Sequence, residues 1–141
     1  MGQAKTRQAT HADLDAIAPL FDAYRQFYEK PADLALARRY LDERFKRNES
    51  IIFVAENTAG EIVGFTQLYP AFCSVAADRT YVLYDLFVTP AARGTGAGRA
   101  LMETAEAFAR QSGAYRLQLQ TATTNIVGQT LYESCGWLRD R

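Results

Sequence analysis

The sequence is poor in the residues that most often carry nucleophilic and metal chemistry. Its 141 residues hold one histidine, His11, and two cysteines, Cys73 and Cys135. With no C-x-x-C pair and no Cys/His cluster, a disulfide framework, a zinc site, a Ser-His-Asp triad and Cys-His catalysis all find little support, and no metal is expected. Charge of one sign is also missing. Sixteen Lys+Arg balance sixteen Asp+Glu, so a broad basic field for a nucleic-acid backbone is absent and no nucleic-acid partner is expected. Apolar runs fall well short of the ~20 residues of a spanning helix, and Met1 to Thr6 lacks the apolar core of a signal peptide. These absences point to a cytoplasmic protein with no membrane partner. Gly2 to Thr6 matches N-myristoylation spacing without a polybasic neighbour, and the sequon Asn48-Glu49-Ser50 carries little weight in such a chain.

What is present is ordinary globular composition, 48% hydrophobic, 23% charged and 12% aromatic, in a length that suits one domain over 1–141. Residues 3–8 suggest a short strand, and Thr10 with Asp13 has the spacing of a helix-starting capping box. Leu14, Ile17, Phe21, Tyr24 and Tyr28 form an apolar helical stripe up to Pro31. A second helix follows, with Leu34, Ala37, Leu41 and Phe45 inward and Arg38, Arg39, Asp42, Glu43 and Lys46 toward water. Ile51–Glu56 and Ile62–Tyr69 read as a hairpin across Thr58-Ala59-Gly60-Glu61, stopped by Pro70. Thr80–Val88 is apolar on both faces, with Tyr81, Leu83 and Phe87 set against Val82, Leu86 and Val88, as in a central strand; Asp85 is its exception. A helix then runs to about Gln111, with Leu101, Ala105 and Phe108 inward and Gly113 at its end. Tyr115 to Thr121 alternates as a strand, and a last helix spans about Asn125 to Cys135 before Gly136. The order predicts an α/β (α+β) fold, a mixed sheet covered by helices.

The informative stretch is Leu86-Phe87-Val88-Thr89-Pro90-Ala91-Ala92-Arg93-Gly94-Thr95-Gly96-Ala97-Gly98-Arg99, a buried strand feeding a glycine-rich turn that opens a helix. Gly94, Gly96 and Gly98 let an anion approach the backbone, where first-turn N–H groups and the helix dipole favour it. A plain strand-to-helix turn is the bland alternative, but each alternating glycine would weaken a helix start by roughly 0.5–1 kcal/mol relative to alanine. A Rossmann fingerprint would need glycine where Arg99 stands, and a P-loop needs a Gly-Lys-Ser/Thr ending that is absent.

Arg93, Gly96 and Gly98 instead match the acetyl-CoA signature Arg/Gln-x-x-Gly-x-Gly/Ala, and at this point the sequence resembles the GCN5-related N-acetyltransferase (GNAT) family. A second signal of that family, Asn-x-x-Ala-x-x-x-Tyr-x-x-x-Gly-Phe, appears as Asn125, Gly128 for alanine, Tyr132, Gly136 and Trp137 for phenylalanine. The resemblance implies a mostly antiparallel twisted sheet flanked by four helices, with acetyl-CoA as cosubstrate. It implies that Gly94, Thr95, Gly96, Ala97, Gly98 and Arg99 cradle the pyrophosphate, and that Leu86, Phe87 and Val88 offer backbone groups to the pantetheine arm. Arg93 either touches phosphate or caps the turn. Asn125 either contacts pantetheine or caps the last helix.

Acetyl transfer by direct attack in a ternary complex requires no enzyme nucleophile, so the missing Cys-His pair is no obstacle. The family pattern makes Tyr132 the general acid toward the CoA sulfur, against the plainer reading of a packing tyrosine; a phenol with pKa near ~10 is protonated at neutral pH. Asp85 is a base candidate because desolvation raises a carboxyl pKa, while a structural, hydrogen-bonded aspartate is the alternative. The acceptor is a small-molecule or peptide amine. Asp22, Tyr24, Tyr28 and Glu29 would suit a cationic one, although Tyr24 and Tyr28 equally complete the helix stripe.

An acetyl-CoA-binding or sensing domain without turnover is the second reading, and a regulator binding another nucleotide the third. After Trp137 only Leu138 to Arg141 remain, where the resemblance implies two more strands. The C-terminal strands are therefore expected to be missing or very short, with the exposed edge left weakened or covered by a partner chain, as in a homodimer.

Overall fold

A computed structural model describes residues 4–114 and 117–119 of the chain. Five strands order as β1-β2-β3-β4-β5: β1 Lys5–Gln8, β2 Ile51–Glu56, β3 Ile62–Cys73, β4 Asp78–Val88 and β5 Leu117–Leu119. The first four pair antiparallel and β5 joins β4 in parallel, so the sheet is mixed and mostly antiparallel, as expected. Three α-helices accompany it among the described residues: α1 Leu14–Phe27, α2 Leu34–Lys46 and α3 Ala97–Gln111. The expected last helix, Asn125, Tyr132 and the C-terminal strand positions lie outside the described residues.

Sequence punctuation sets the helix ends. Thr10 and Asp13 form the expected capping box, with the Thr10 N–H donating to the Asp13 carboxylate over 2.8 Å, and a single 3-10 turn at His11–Asp13 leads into α1. Asp33 caps α2 by accepting from Leu36 N–H at 3.1 Å. Gly113, in the left-handed region at φ 76°, closes the end of α3. The α1 stripe ends earlier than its spacing predicts. The helix stops at Phe27, and the chain turns back through Glu29, at φ 65°, with Lys30 N–H bonded to the Arg25 carbonyl at 3.1 Å.

The helices cover the two faces of the sheet unequally. On one face α3 packs Ala97, Leu101, Met102 and Ala105 against Phe53, Ala55, Leu68, Tyr81 and Leu83, with Phe108 edge-on to Phe53 and Tyr81. On the other, Leu14, Ile17 and Phe21 of α1 and Ala37 and Leu41 of α2 meet Ile52, Val54 and Phe65. Leu34, expected inward, is the first residue of α2 and is 51% exposed.

Two strand expectations are corrected. β3 does not stop at Pro70 but continues to Cys73. Pairing with β2 ends at Ile51 and Leu68, so Pro70 lies where β3 has no strand on its outer side among the described residues, and a residue without an N–H is tolerated there. β4 begins at Asp78, two residues earlier than read, and its alternation is not continuous. Gln67 pairs with Asp85, but the next residue, Leu68, pairs with Leu83, leaving Tyr84 as an extra residue in β4. This bulge re-phases the strand. Phe87 does not share a face with Tyr81 and Leu83, as strict alternation predicts, but packs with the α1 and α2 cluster.

Candidate active site

Asp85 owes its surroundings to that bulge. Continuous alternation would put it with Tyr81 and Leu83 under α3; the extra residue turns it instead toward α1 and α2. There it is 6% exposed and accepts a 2.7 Å bond from Gln67 Nε2. Gln67, itself fully buried, has its other amide atom fixed by Ser50, whose hydroxyl donates to Oε1 at 2.8 Å. The Ser50-Gln67-Asp85 chain therefore orients the amide so that its NH2 meets the carboxylate. Thr66 adds a hydroxyl bond to the Asp85 carbonyl at 2.8 Å.

Burial pushes the Asp85 carboxyl above the usual carboxylate range, and the hydrogen bonds from Gln67 and Tyr24 pull the other way without reversing it. The single hydroxyl hydrogen of Tyr24 is shared with the Tyr84 carbonyl, the backbone group of the bulge residue, at 3.2 Å. Burial first, and then the nearby negative charge of Asp85, push the Tyr24 and Tyr69 hydroxyls up, so both stay protonated. Tyr69 shares a 2.7 Å hydroxyl contact with Tyr40 of α2.

These groups line a cavity of about 680 Å³ between α1, α2 and the strands. Such a volume suits a small molecule. Tyr24, Tyr28, Tyr40, Tyr69 and Tyr84 supply aromatic walls, Asp85 lies among them, and Arg25 and Lys30 are the other charged groups of the lining. Of the acceptor-site residues expected from sequence, Tyr24 and Tyr28 are here. Asp22 is not, because its buried carboxylate accepts from Asp33 N–H at 2.9 Å and from Gln26 at 3.3 Å; Glu29 is outside the lining too. Tyr40, Tyr69, Tyr84 and Gln67 were not singled out. The available signal for the last was a polar pair, Thr66-Gln67, inside an otherwise apolar strand.

The glycine-rich turn begins where β4 ends. Thr89 N–H returns to the Val63 carbonyl at 2.8 Å, Pro90–Ala92 forms a 3-10 turn, and Thr95 donates to the Ala92 carbonyl at 2.6 Å. Gly94 and Gly96 are left-handed, at φ 83° and 89°, and Gly96 is the residue before α3. An added Cβ at either position would meet nothing within 4 Å, so both face open space. Gly96 has no side chain to cap the helix; the Ala97, Gly98 and Arg99 N–H groups precede the first helical bond, from Ala100 to Gly96. This fits an oligophosphate group. Arg93 Nε donates to the Val88 carbonyl at 3.0 Å and its guanidinium lies over Phe87, an arrangement that braces the strand-to-turn junction. Leu86, Phe87 and Val88 lead from Asp85 directly to this turn, so the carboxylate and the cradle share one continuous segment. Among the described residues no cluster of His, Cys, Asp and Glu could hold a metal, and no helix is long and apolar enough to cross a membrane.

Comparison with known proteins is consistent with this geometry. A family model described as the acetyltransferase (GNAT) family matches residues 17–137. An uncharacterized N-acetyltransferase, YhfO, of Bacillus subtilis (strain 168) is 48% identical over 134 residues, covering 95% of this chain and 89% of that protein. A probable acetyltransferase of Haemophilus influenzae is 30% identical over 118 residues, 84% of this chain and 81% of its own. Among solved structures, the crystal structure of a probable acetyltransferase superposes with a TM-score of 0.90 at 36% identity, over 97% of this chain and 91% of that one.

Proposed function

The chain belongs to the GNAT acetyltransferase family and is an acyltransferase, and from that premise we propose that it moves the acetyl group of acetyl-CoA to a primary amine by direct attack in a ternary complex. The observation that carries this reading is the continuity of one strand. Asp85 is turned into an aromatic cavity, and a few residues later the same strand opens into the left-handed glycine turn before α3.

In this reading the backbone of Gly94 to Arg99 holds the pyrophosphate, and the Leu86, Phe87 and Val88 backbone lies along the pantetheine arm. Acetyl-CoA supplies the activated acetyl group when bound. Asp85 accepts, directly or through one water, the proton that the amine sheds as its nitrogen bonds to the acetyl carbon. Its raised pKa makes it a stronger base than an exposed aspartate. Gln67 holds the carboxylate in one orientation, and Tyr24, kept protonated, steadies its negative charge. Tyr132, which lies outside the described residues, donates a proton to sulfur as the carbon–sulfur bond opens, and Asn125 contacts the pantetheine arm or caps its helix.

The test is thiol release from acetyl-CoA across a panel of primary amines, with Tyr132→Phe in parallel. An acceptor turned over by the wild type, with a steep loss in the variant and retained acetyl-CoA affinity, supports the transferase. Affinity for acetyl-CoA with no turnover of any amine favours a sensing domain of the same fold. Absence of any thermal shift with acetyl-CoA overturns both.

A further inference from the structure

The charges lining the cavity do not match an acceptor that is simply a cation. Two of the three charged side chains there are basic, Arg25 and Lys30, and the third, Asp85, is already held by Gln67. Arg25 sits in the last turn of α1, and its carbonyl accepts the Lys30 N–H at 3.1 Å, so the main chain of one turn holds both residues close together at the cavity lining. Asp22, three residues before Arg25, is engaged by Asp33 and Gln26, and Glu29, beside Lys30, is outside the lining. Arg25 Nη1 is buried and has no hydrogen-bond partner among the described residues. A guanidinium cannot relieve that state by losing a proton, and its donors are arranged to meet a planar carboxylate or a phosphate two at a time. The rest of the wall is mostly tyrosine, with Phe21, Leu36 and Ala37, and accommodates an apolar or aromatic body.

We propose that the acceptor carries an anionic group, carboxylate or phosphate, in addition to its amine, and that Arg25 receives this group with Lys30 beside it while the amine is presented to Asp85. The inference rests on the acyl-transfer reading for the amine, and on the cavity alone for the anion. It assigns Arg25 as the residue that sets acceptor specificity. It also places polycationic amines among poor acceptors, because they would meet two fixed positive charges.

The experiment is calorimetric titration of the full chain with matched pairs. These are amino acids with small, aliphatic and aromatic side chains against their carboxamides, and phosphoethanolamine against ethanolamine. At least one anionic member should bind roughly ten- to a hundredfold more tightly than its neutral counterpart, the range expected of a charge-assisted hydrogen bond. The pair series that shows it tells carboxylate from phosphate. In Arg25→Ala the ratio within that pair should fall close to one, and Arg25→Gln, which keeps the stem and some donors, provides the same readout if the alanine variant does not fold. Neutral members that bind as well as anionic ones, no binding by any anionic member, or a ratio that survives both substitutions would overturn the proposal. If the anionic amine binds selectively but releases no thiol from acetyl-CoA, the transferase reading fails and the anion site stands. If neutral and anionic amines are acetylated and bound alike, the reverse holds.

Discussion

Gln67 donates to Asp85 over 2.7 Å at the register slip between β3 and β4, so a fully buried amide holds the carboxylate that the bulge has turned toward the cavity. The relationship joins a backbone irregularity to the proton-transfer role proposed for Asp85.

Asp85→Asn should lower kcat/KM by roughly 10²–10⁴, the usual contribution of a general base, and remove the inflection on the rising limb of the pH–rate profile. Stability should move the other way. Burial raises the folded-state pKa of Asp85, so the folded chain holds this proton more tightly than the unfolded one. The contribution to stability is complete below the ordinary carboxylate pKa of about 4 and is lost as pH rises through the raised folded value. At neutral pH the asparagine variant should therefore melt above the wild type, and the gap should close as pH falls toward that range. An unchanged kcat/KM would leave Asp85 a structural residue.

Gln67→Leu removes the donor that favours the charged form of Asp85 and strands the Ser50 hydroxyl. The rising limb of the pH–rate profile should shift to higher pH, with a loss of about 1–3 kcal/mol in chemical denaturation. A limb that stays in place would show that Gln67 does not set the basicity of the carboxylate.

Gly64→Ala should destabilise by about 1–3 kcal/mol through overpacking. Its Cβ would lie 3.0 Å from the Phe87 carbonyl oxygen, 3.2 Å from Val88 Cγ2 and 3.4 Å from Leu101 Cδ1. The carbonyl is backbone, so relief requires the end of β4 to shift, and acetyl-CoA affinity should fall with it. Thermal melts and acetyl-CoA titration of the same sample measure both effects.

Gly96→Ala forces an L side chain into the left-handed region with open space around the Cβ, so its penalty is conformational, about 1–2 kcal/mol. Acetyl-CoA should bind roughly tenfold more weakly if the turn relaxes to avoid that strain. Gly60→Ala, at φ 82° and equally open but in the β2–β3 hairpin, is the control. It should lose similar stability and keep its acetyl-CoA affinity.

Features governed by neighbours in sequence were readable from it. The Thr10 and Asp13 cap ahead of α1, Gly113 after α3 and the inward spacing of Leu101 and Ala105 each follow from backbone and periodicity rules acting within a few residues. The glycine-rich turn was legible for the same reason. The cavity was not. Tyr40, Tyr69 and Tyr84 come from α2, β3 and β4, and only the sheet pairing brings them together. The bulge was invisible too, because Thr80–Val88 is apolar on both faces and its pattern cannot report a change of phase. Leu34 misled because an apolar residue at helical spacing is buried only where another element covers it.

The extra residue of β4 has a consequence for how the gene can vary. An in-frame loss of the Tyr84 codon would restore even pairing and leave Asp85 opposite Gln67, at the cost of the tyrosine wall and the carbonyl that receives Tyr24. Loss of one codon between Asp85 and Val88 would instead rotate the segment entering the glycine turn by one face. Between Leu83 and the glycine turn, length variation is therefore confined to the bulge position if both the carboxylate and the turn are to keep their orientation.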